Sequence, residues 1–324
     1  MAQFHTQSLA PSSHLDTFTR DRLPPQDQWP VFVFDRPEVQ YPEQLNCVQG
    51  LLDDHVANGQ GDRIAVRGKD ANGDICWTYS QLQAKVNQIA HVLIQDMGMK
   101  SGQRLLLRGG NSPMMAACFL AALKAGLVVV PTMPLLRAAE LKQIVDKAQI
   151  SAALCDSLLA EELGYCTDSA HAQHANALKQ VLWFRSEEAE GVEARMVKHA
   201  ATFKAHPTSR DDVCLIAFTS GTTGQPKGTM HFHRDVLAMC DLFISAPCLK
   251  NGRQRHRLRD AAHCLHVWFR WIVGISLALR CLCCAARKVH TRIFVASRWA
   301  IRCNAVLHSA HHVPSNGHAG SRKA

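Results

Sequence analysis

From residue 75 to 219 the chain alternates short apolar runs with stretches of helical period. ICWTY (75–79) predicts a strand, and Ser80 with Gln83 three residues on predicts a capping box opening a helix. Leu82, Val86, Ile89 and Leu93 then recur on one face. RLLLR (104–108) is a buried-strand run, followed by Gly109-Gly110 and an apolar helix from Ser112 to Lys124 that Gly126 ends. LVVVP (127–131) gives the next strand, AAELKQIVDKA (138–148) an amphipathic helix and SAALCD (151–156) a strand; QVLWF (180–184) and VCLIAF (213–218) add two more. Mainly apolar runs between helices predict parallel strands covered on both faces, an α/β fold. Residues 1–45 are Pro-rich and polar, an irregular lead-in; 186–212 form a polar connection, and no internal repeat is visible. The α/β unit predicted is 46–243.

At 324 residues and 47% hydrophobic content the chain can fill a sizeable core. A net charge of +9 suggests an acidic partner until the chain is divided. Residues 244–324 hold 11 Arg, 3 Lys and one acid, Asp260, so this tail is +13 and residues 1–243 are −4. The tail also holds 6 of 13 Cys, 8 of 18 His, 3 of 6 Trp and no Tyr. The other seven Cys (47, 76, 118, 155, 166, 214, 240) lie mostly within apolar runs, as small buried hydrophobes do. No charged-then-apolar leader opens the sequence, so the expectation is a cytoplasmic protein with reduced thiols.

The chemistry concentrates in VCLIAFTSGTTGQPKGTM (213–230). A buried strand delivers the chain to Thr219, and Ser220-Gly221-Thr222-Thr223-Gly224 follows as a short loop rich in Gly and hydroxyls. Gly221 and Gly224 permit close backbone approach, so successive N–H groups can converge on an anion. Ser220, Thr222 and Thr223 add hydroxyl donors, Lys227 a positive point charge, and Pro226 stiffens the exit. This is not the G-x-x-x-x-G-K-[ST] loop, because the two glycines are too close and Gly228 follows the Lys. A Gly/Thr-rich surface turn is the plainer alternative; ten such residues directly after a buried strand favour phosphate binding.

TSGTTGQPKG resembles the phosphate-loop signature of the adenylate-forming superfamily, which includes acyl- and aryl-CoA ligases, luciferases and peptide-synthetase adenylation domains. LKAGLVVVPTMP (123–134) resembles the family's earlier core motif and WTYSQLQAKVNQIAHVL (77–93) its first helix. The lead-in, MPLLRAAEL (133–141) and GTMHFHRDVLAMCDLF (228–243) look most like the benzoate/2-aminobenzoate-CoA ligase branch. The resemblance covers about 40–243 and implies an incomplete N-terminal α/β subdomain, a parallel-rich sheet with helices on both faces. It implies a two-step reaction: a carboxylate attacks the α-phosphate of ATP, and the thiolate of coenzyme A then displaces AMP from the acyl-adenylate. An aromatic carboxylate, ATP with Mg²⁺ and CoA are the implied ligands. By residue match, Thr219, Ser220, Gly221, Thr222, Thr223, Gly224, Lys227 and Gly228 contact the nucleotide. His231 and His233 could line the acyl pocket or be capped surface residues at the start of a helix. The family's later motifs are not found: the aromatic-Gly-x-Thr-Glu that seats adenine and Mg²⁺, the Thr-Gly-Asp for ribose, and the lysine that activates the carboxylate.

Three readings compete for the tail. A basic zinc or nucleic-acid module would use CLCC (281–284) and CNAVLHSAHH (303–312), but no C-x₂-C pair stands with an H-x₃₋₅-H pair at finger spacing. A membrane span over 264–286 would bury Arg270 and Arg280, each costing about 2.5–3.5 kcal/mol near the bilayer centre. The third is translation out of frame, which enriches Arg, Cys, His and Trp together. Building each codon from the last two bases of one residue and the first of the next, Asp260 to Leu277 can yield TPPIAFTFGFGGLLVFP. That string resembles the pocket wall of aryl-CoA ligases, and the glycines from Trp268-Phe269 and Trp271-Ile272 are forced whatever the codon choice. The shift is expected between Phe243 and Asn251, leaving 244–324 non-native and the chain inactive, with neither a nucleic-acid nor a membrane partner. The rival is a non-catalytic protein that holds nucleotide, or nucleic acid through its basic tail; salt-sensitive DNA retention surviving deletion of 1–243 would support it.

Overall fold

The computed structural model describes residues 8–29, 34, 37–70, 73–167, 178, 180–219 and 226–245. The membrane-span and zinc-module readings concern residues outside the described ones, as does the frame-shift reading beyond Ser245. The chain divides into two units. Of the first, the described residues Pro24–Trp29 form one 3₁₀ turn, Gln26–Gln28, with the Trp29 indole N–H donating to the Pro24 carbonyl.

The second unit holds the α/β fold. After the short helix α1 (Phe18–Asp21) and two wide helical turns, Gln49–Asp53 and Val56–Gln60, the strands β1 (Ile64–Asp70) and β2 (Gly73–Thr78) pair antiparallel. Then come α2 (Tyr79–His91), β3 (Arg104–Arg108), α3 (Pro113–Lys124), β4 (Val128–Thr132), α4 (Ala138–Ala148) and β5 (Ala152–Asp156). The remainder is α5 (Ala160–Thr167), β6 (Val181–Phe184), α6 (Val192–Met196), β7 (Val213–Thr219), β8 (Lys227–Phe232) and α7 (His233–Ser245). Strands β2 to β7 and helices α2 to α4 fall where the apolar pattern puts them, whereas β1, α5 and β8 were not predicted and the polar connection 186–212 contains the short α6, with Val192 and Met196 buried. Strands β3 to β8 build one sheet in the order β6-β5-β3-β4-β7-β8, parallel except that β7 and β8 pair antiparallel.

The predicted burial of the strands on both faces holds. Every residue of β3, β4 and β5 is buried. Leu105, Leu107, Val129, Ala152 and Leu154 share one cluster with Leu82, Val86 and Ile89 of α2 and Phe119 and Leu123 of α3. The alternate residues Leu106, Val128, Val130 and Ala153 are equally buried but lie outside that cluster, as do Leu141, Ile144 and Val145 of α4. Period-2 alternation thus splits each strand between two helix layers.

Two sequence expectations are corrected. The cap of α2 is Thr78, not Ser80: its hydroxyl accepts the Gln81 N–H, and the Gln81 side chain accepts the Thr78 N–H at 2.9 Å. Both T-x-x-Q and S-x-x-Q stand in the sequence, and the earlier pair wins because β2 runs on to Thr78. Second, Lys227–Phe232 is a strand and only His233 opens a helix. Gly126 ends α3 as predicted, in the left-handed region at φ 76°.

The lead-in is irregular, yet its described part is integral to the second unit. The Ala10 N–H donates to Asp211 at 2.8 Å, Ser12 Oγ and the Ser13 N–H donate to Asp212, and Asp16 and Leu15 bond Ser101. His14 is enclosed here, its Nε2 3.8 Å from the Asp212 carboxylate. Burial, only partly opposed by Asp212, pushes the imidazole down to about 4. A ring kept neutral in the fold contributes stability that is complete above about pH 6.5 and lost as pH falls toward 4, on the order of 3 kcal/mol. Asp235, its carboxyl raised by burial to about 6, titrates in the opposite sense. Wild type therefore need not sag on acidification, but its stability advantage over His14→Gln should shrink between pH 6.5 and 4. Denaturant midpoints taken across that range should show it; a constant difference would refute it.

Candidate functional site

All five parallel strands present their C-terminal ends at one edge of the sheet, where open α/β sheets bind ligands. The phosphate-type loop leaves that edge at the end of β7. Thr219 and Lys227 are paired partners at the mouth of the β7–β8 hairpin, so the loop's two rims are fixed opposite each other. Ser220, Gly221, Thr222, Thr223 and Gly224 lie outside the described residues. What positions the rims is visible. Gly228 pairs with Phe218, and a Cβ there would come within 2.9 Å of the Ile216 side chain, so glycine is what lets β8 lie close on β7. Thr229 Oγ donates to the Ala217 carbonyl at 3.0 Å. Lys147, from the last turn of α4, donates to the Pro226 carbonyl at 2.7 Å and tethers the loop's exit. Lys227 itself is exposed.

A second anchor at this edge was legible only as part of a strand. Arg108, at the end of β3 and 1% exposed, donates to the carbonyls of Met133, Pro134 and Leu136 at 2.9, 3.0 and 2.9 Å. Its guanidinium closes off the segment after β4, part of the stretch that resembled the aryl-ligase branch. A charged residue ending an all-apolar run was the available signal. On the next strands, Arg185 ion-pairs with the buried Asp156 at 3.0 Å, joining the ends of β5 and β6.

The two histidines part company. His231 is half-buried in β8, opposite Leu215, not at a helix start. His233 is the first residue of α7 and has no exposed surface; Nδ1 lies 3.2 Å from the sulfur of Cys47 and accepts the Cys47 N–H. It sits by the start of β7, the end away from the loop, so the surface-cap role is excluded for it. Sequence reading missed this cluster because its members are far apart along the chain.

At one sheet edge the paired Thr219 and Lys227 thus flank the loop, with the exposed Lys227 beside it and the Lys147 ammonium on its exit. The profile of the AMP-binding enzyme family matches residues 53–306. An uncharacterized acyl-CoA ligase of Bacillus subtilis is 31% identical over 59% of this chain and 35% of its own length. Benzoate–CoA ligase of Thauera aromatica is 27% identical over 64% of this chain and 38% of its own. The chain thus spans little more than a third of these relatives. A crystal structure of an anthranilate CoA ligase with anthranoyl-AMP superposes with a TM-score of 0.57 over 64% of this chain and 39% of that one, at 19% identity, a likeness of fold. Among the described residues no helix is long and apolar enough to cross a membrane.

Proposed function

This chain belongs to the AMP-binding enzyme family, and from that premise we propose that it derives from an ATP-dependent aryl-acid CoA ligase of the benzoate/2-aminobenzoate kind and is inactive in its present form. The observation that carries the reading is TSGTTGQPKG mounted at the mouth of the β7–β8 hairpin. Thr219 to Gly224, Lys227 and Gly228 would hold the β- and γ-phosphates, and the exposed Lys227 ammonium beside the loop fits that polyanion. ATP with Mg²⁺ supplies the electrophilic α-phosphorus that an aromatic carboxylate attacks, and coenzyme A the accepting thiol. What this chain's residues contribute is fixed positive potential where charge builds on the departing pyrophosphate, with no reorganisation needed during reaction. His231 remains the candidate for the acyl side; His233 is committed to the core.

We further propose that residues 244–324 are read out of frame. Their composition and the two forced glycines support this; the family profile, running on to residue 306, weighs against it. The nucleotide sequence across codons 240–260 decides: in-register decoding in independent isolates would end the proposal. The activity has its own test. Pyrophosphate release with benzoate or 2-aminobenzoate should not exceed that of Lys227→Ala, and turnover above that variant would refute inactivity. Restoring the frame between Phe243 and Asn251 should bring turnover, which Lys227→Ala should then cut by about 10²–10³-fold in kcat/KM, the usual loss on removing one charge-stabilising donor.

A further inference from the structure

Away from the loop edge, Cys47, Cys214 and His233 converge from three distant parts of the chain. Cys47 precedes the first wide helical turn, Cys214 is the second residue of β7 and His233 opens α7. Each has 0% exposure, and the two sulfurs and a ring nitrogen lie within 4.8 Å of one another. The sulfur of Cys47 is 3.2 Å from His233 Nδ1, while Cys214 directs its thiol to the His231 carbonyl at 3.5 Å. On the far side of the ring, His233 Nε2 is enclosed with no hydrogen-bond partner. A core that needed only packing would be better served by apolar residues than by two thiols and an imidazole.

We infer that these three side chains form a site for a thiophilic d¹⁰ metal ion, Zn²⁺ before Cu⁺. Thiolate sulfur and imidazole are the donors both ions favour. With bond lengths of about 2.3 Å to sulfur and 2.0 Å to nitrogen, sulfur and nitrogen sharing one ion stand roughly 3.5 Å apart. The Cys47–His233 separation is already close to that; binding requires Nδ1 to release the Cys47 N–H and Cys214 to release the His231 carbonyl, and no pair need close by more than about 1.3 Å. Two thiolates and a neutral imidazole cancel the charge of Zn²⁺, which a fully enclosed site requires; Cu⁺ would leave one negative charge uncompensated. Binding releases both thiol protons, and because the site is closed the ion enters as the chain folds. It would pin the segment at residue 47 to the starts of β7 and α7, a structural and not a catalytic ion.

The test is the metal content of the full chain, expressed with zinc and measured by elemental mass spectrometry. The tail's six Cys and eight His can also capture metal, so the comparison is with variants. Wild type and Cys118→Ser, a buried cysteine of α3 outside the cluster, should carry one more equivalent of Zn²⁺ than Cys47→Ser, Cys214→Ser or His233→Gln. Cobalt should give wild type the intense thiolate charge-transfer bands, diminished in whichever cluster variants keep their circular dichroism. An equivalent of copper taken up anaerobically in place of zinc, and lost in the same variants, would support the site and assign it to Cu⁺. Wild type holding less than one ion per chain overturns the inference without any variant. So does equal metal in wild type and the cluster variants, or an intact mass 2 Da low with Cys47 and Cys214 joined as a disulfide.

Discussion

Asp211→Ala is expected to lower the stability of the fold by about 3–5 kcal/mol, the usual cost of stranding one partner of a buried ion pair. Asp211 has no exposed surface and lies 2.9 Å from the guanidinium of Arg234, which is 4% exposed. Its other oxygen accepts the Ala10 N–H at 2.8 Å. Truncation therefore leaves a guanidinium enclosed without its counter-charge and frees the described lead-in from one of its two acidic anchors. Arg234 stacks on the rings of Phe34 and Phe232, so it cannot swing into water without giving up that packing. Asp211→Asn keeps an acceptor and should cost roughly half as much. Adding Arg234→Met to Asp211→Ala should recover part of the loss, because the buried charge is then gone. Denaturant midpoints for the three variants give these values; a loss below about 1 kcal/mol for Asp211→Ala would show that the pair is not what holds this corner.

Arg108→Ala should cost a similar amount, about 3–5 kcal/mol, through three carbonyls losing charged donors and a void opening beneath them. The two losses differ in where they appear. Arg108 binds Met133, Pro134 and Leu136 within one segment, so that stretch should exchange its amide hydrogens faster than β3 and β4, which stay paired to each other. Arg108→Lys offers a point charge in place of the planar fork and should restore at most one or two of the three bonds. Hydrogen exchange unchanged over 133–137 in Arg108→Ala would mean the segment is held by its own packing.

The buried strands were legible because both faces of the sheet are covered, which turns each strand into an unbroken apolar run. That β7 ends at Thr219 was legible from the glycine- and hydroxyl-rich residues that follow it. Strand β8 was not, since KGTMHF contains one aromatic, one Met and no run; it exists because β7 needs a neighbour and the loop returns the chain beside it. Arg108 and Lys147 read as polar ends of elements, and only coordinates show that their reach is inward or across to another element. The docking of residues 8–23 was invisible for a simpler reason: its partners lie from 86 to about two hundred residues away, and no local pattern encodes them.

That last separation orders the events of biosynthesis. A ribosome delivers β3 to β6 with their helices as one nearly continuous stretch, able to collapse as it emerges. Within Ser8 to Leu23, Leu15 and Asp16 can meet Ser101 early, but Ala10 and Ser12 must wait for Asp211 and Asp212, translated 201 and 200 residues after them. Parallel pairing of β7 beside β4 joins Leu215 to Val129 over a shorter but still long separation, and such closures are slow. The β7–β8 hairpin and the start of the lead-in must therefore settle together, late, and a nascent chain halted before residue 211 would leave residues 8–13 without their acidic anchors and exposed to proteases.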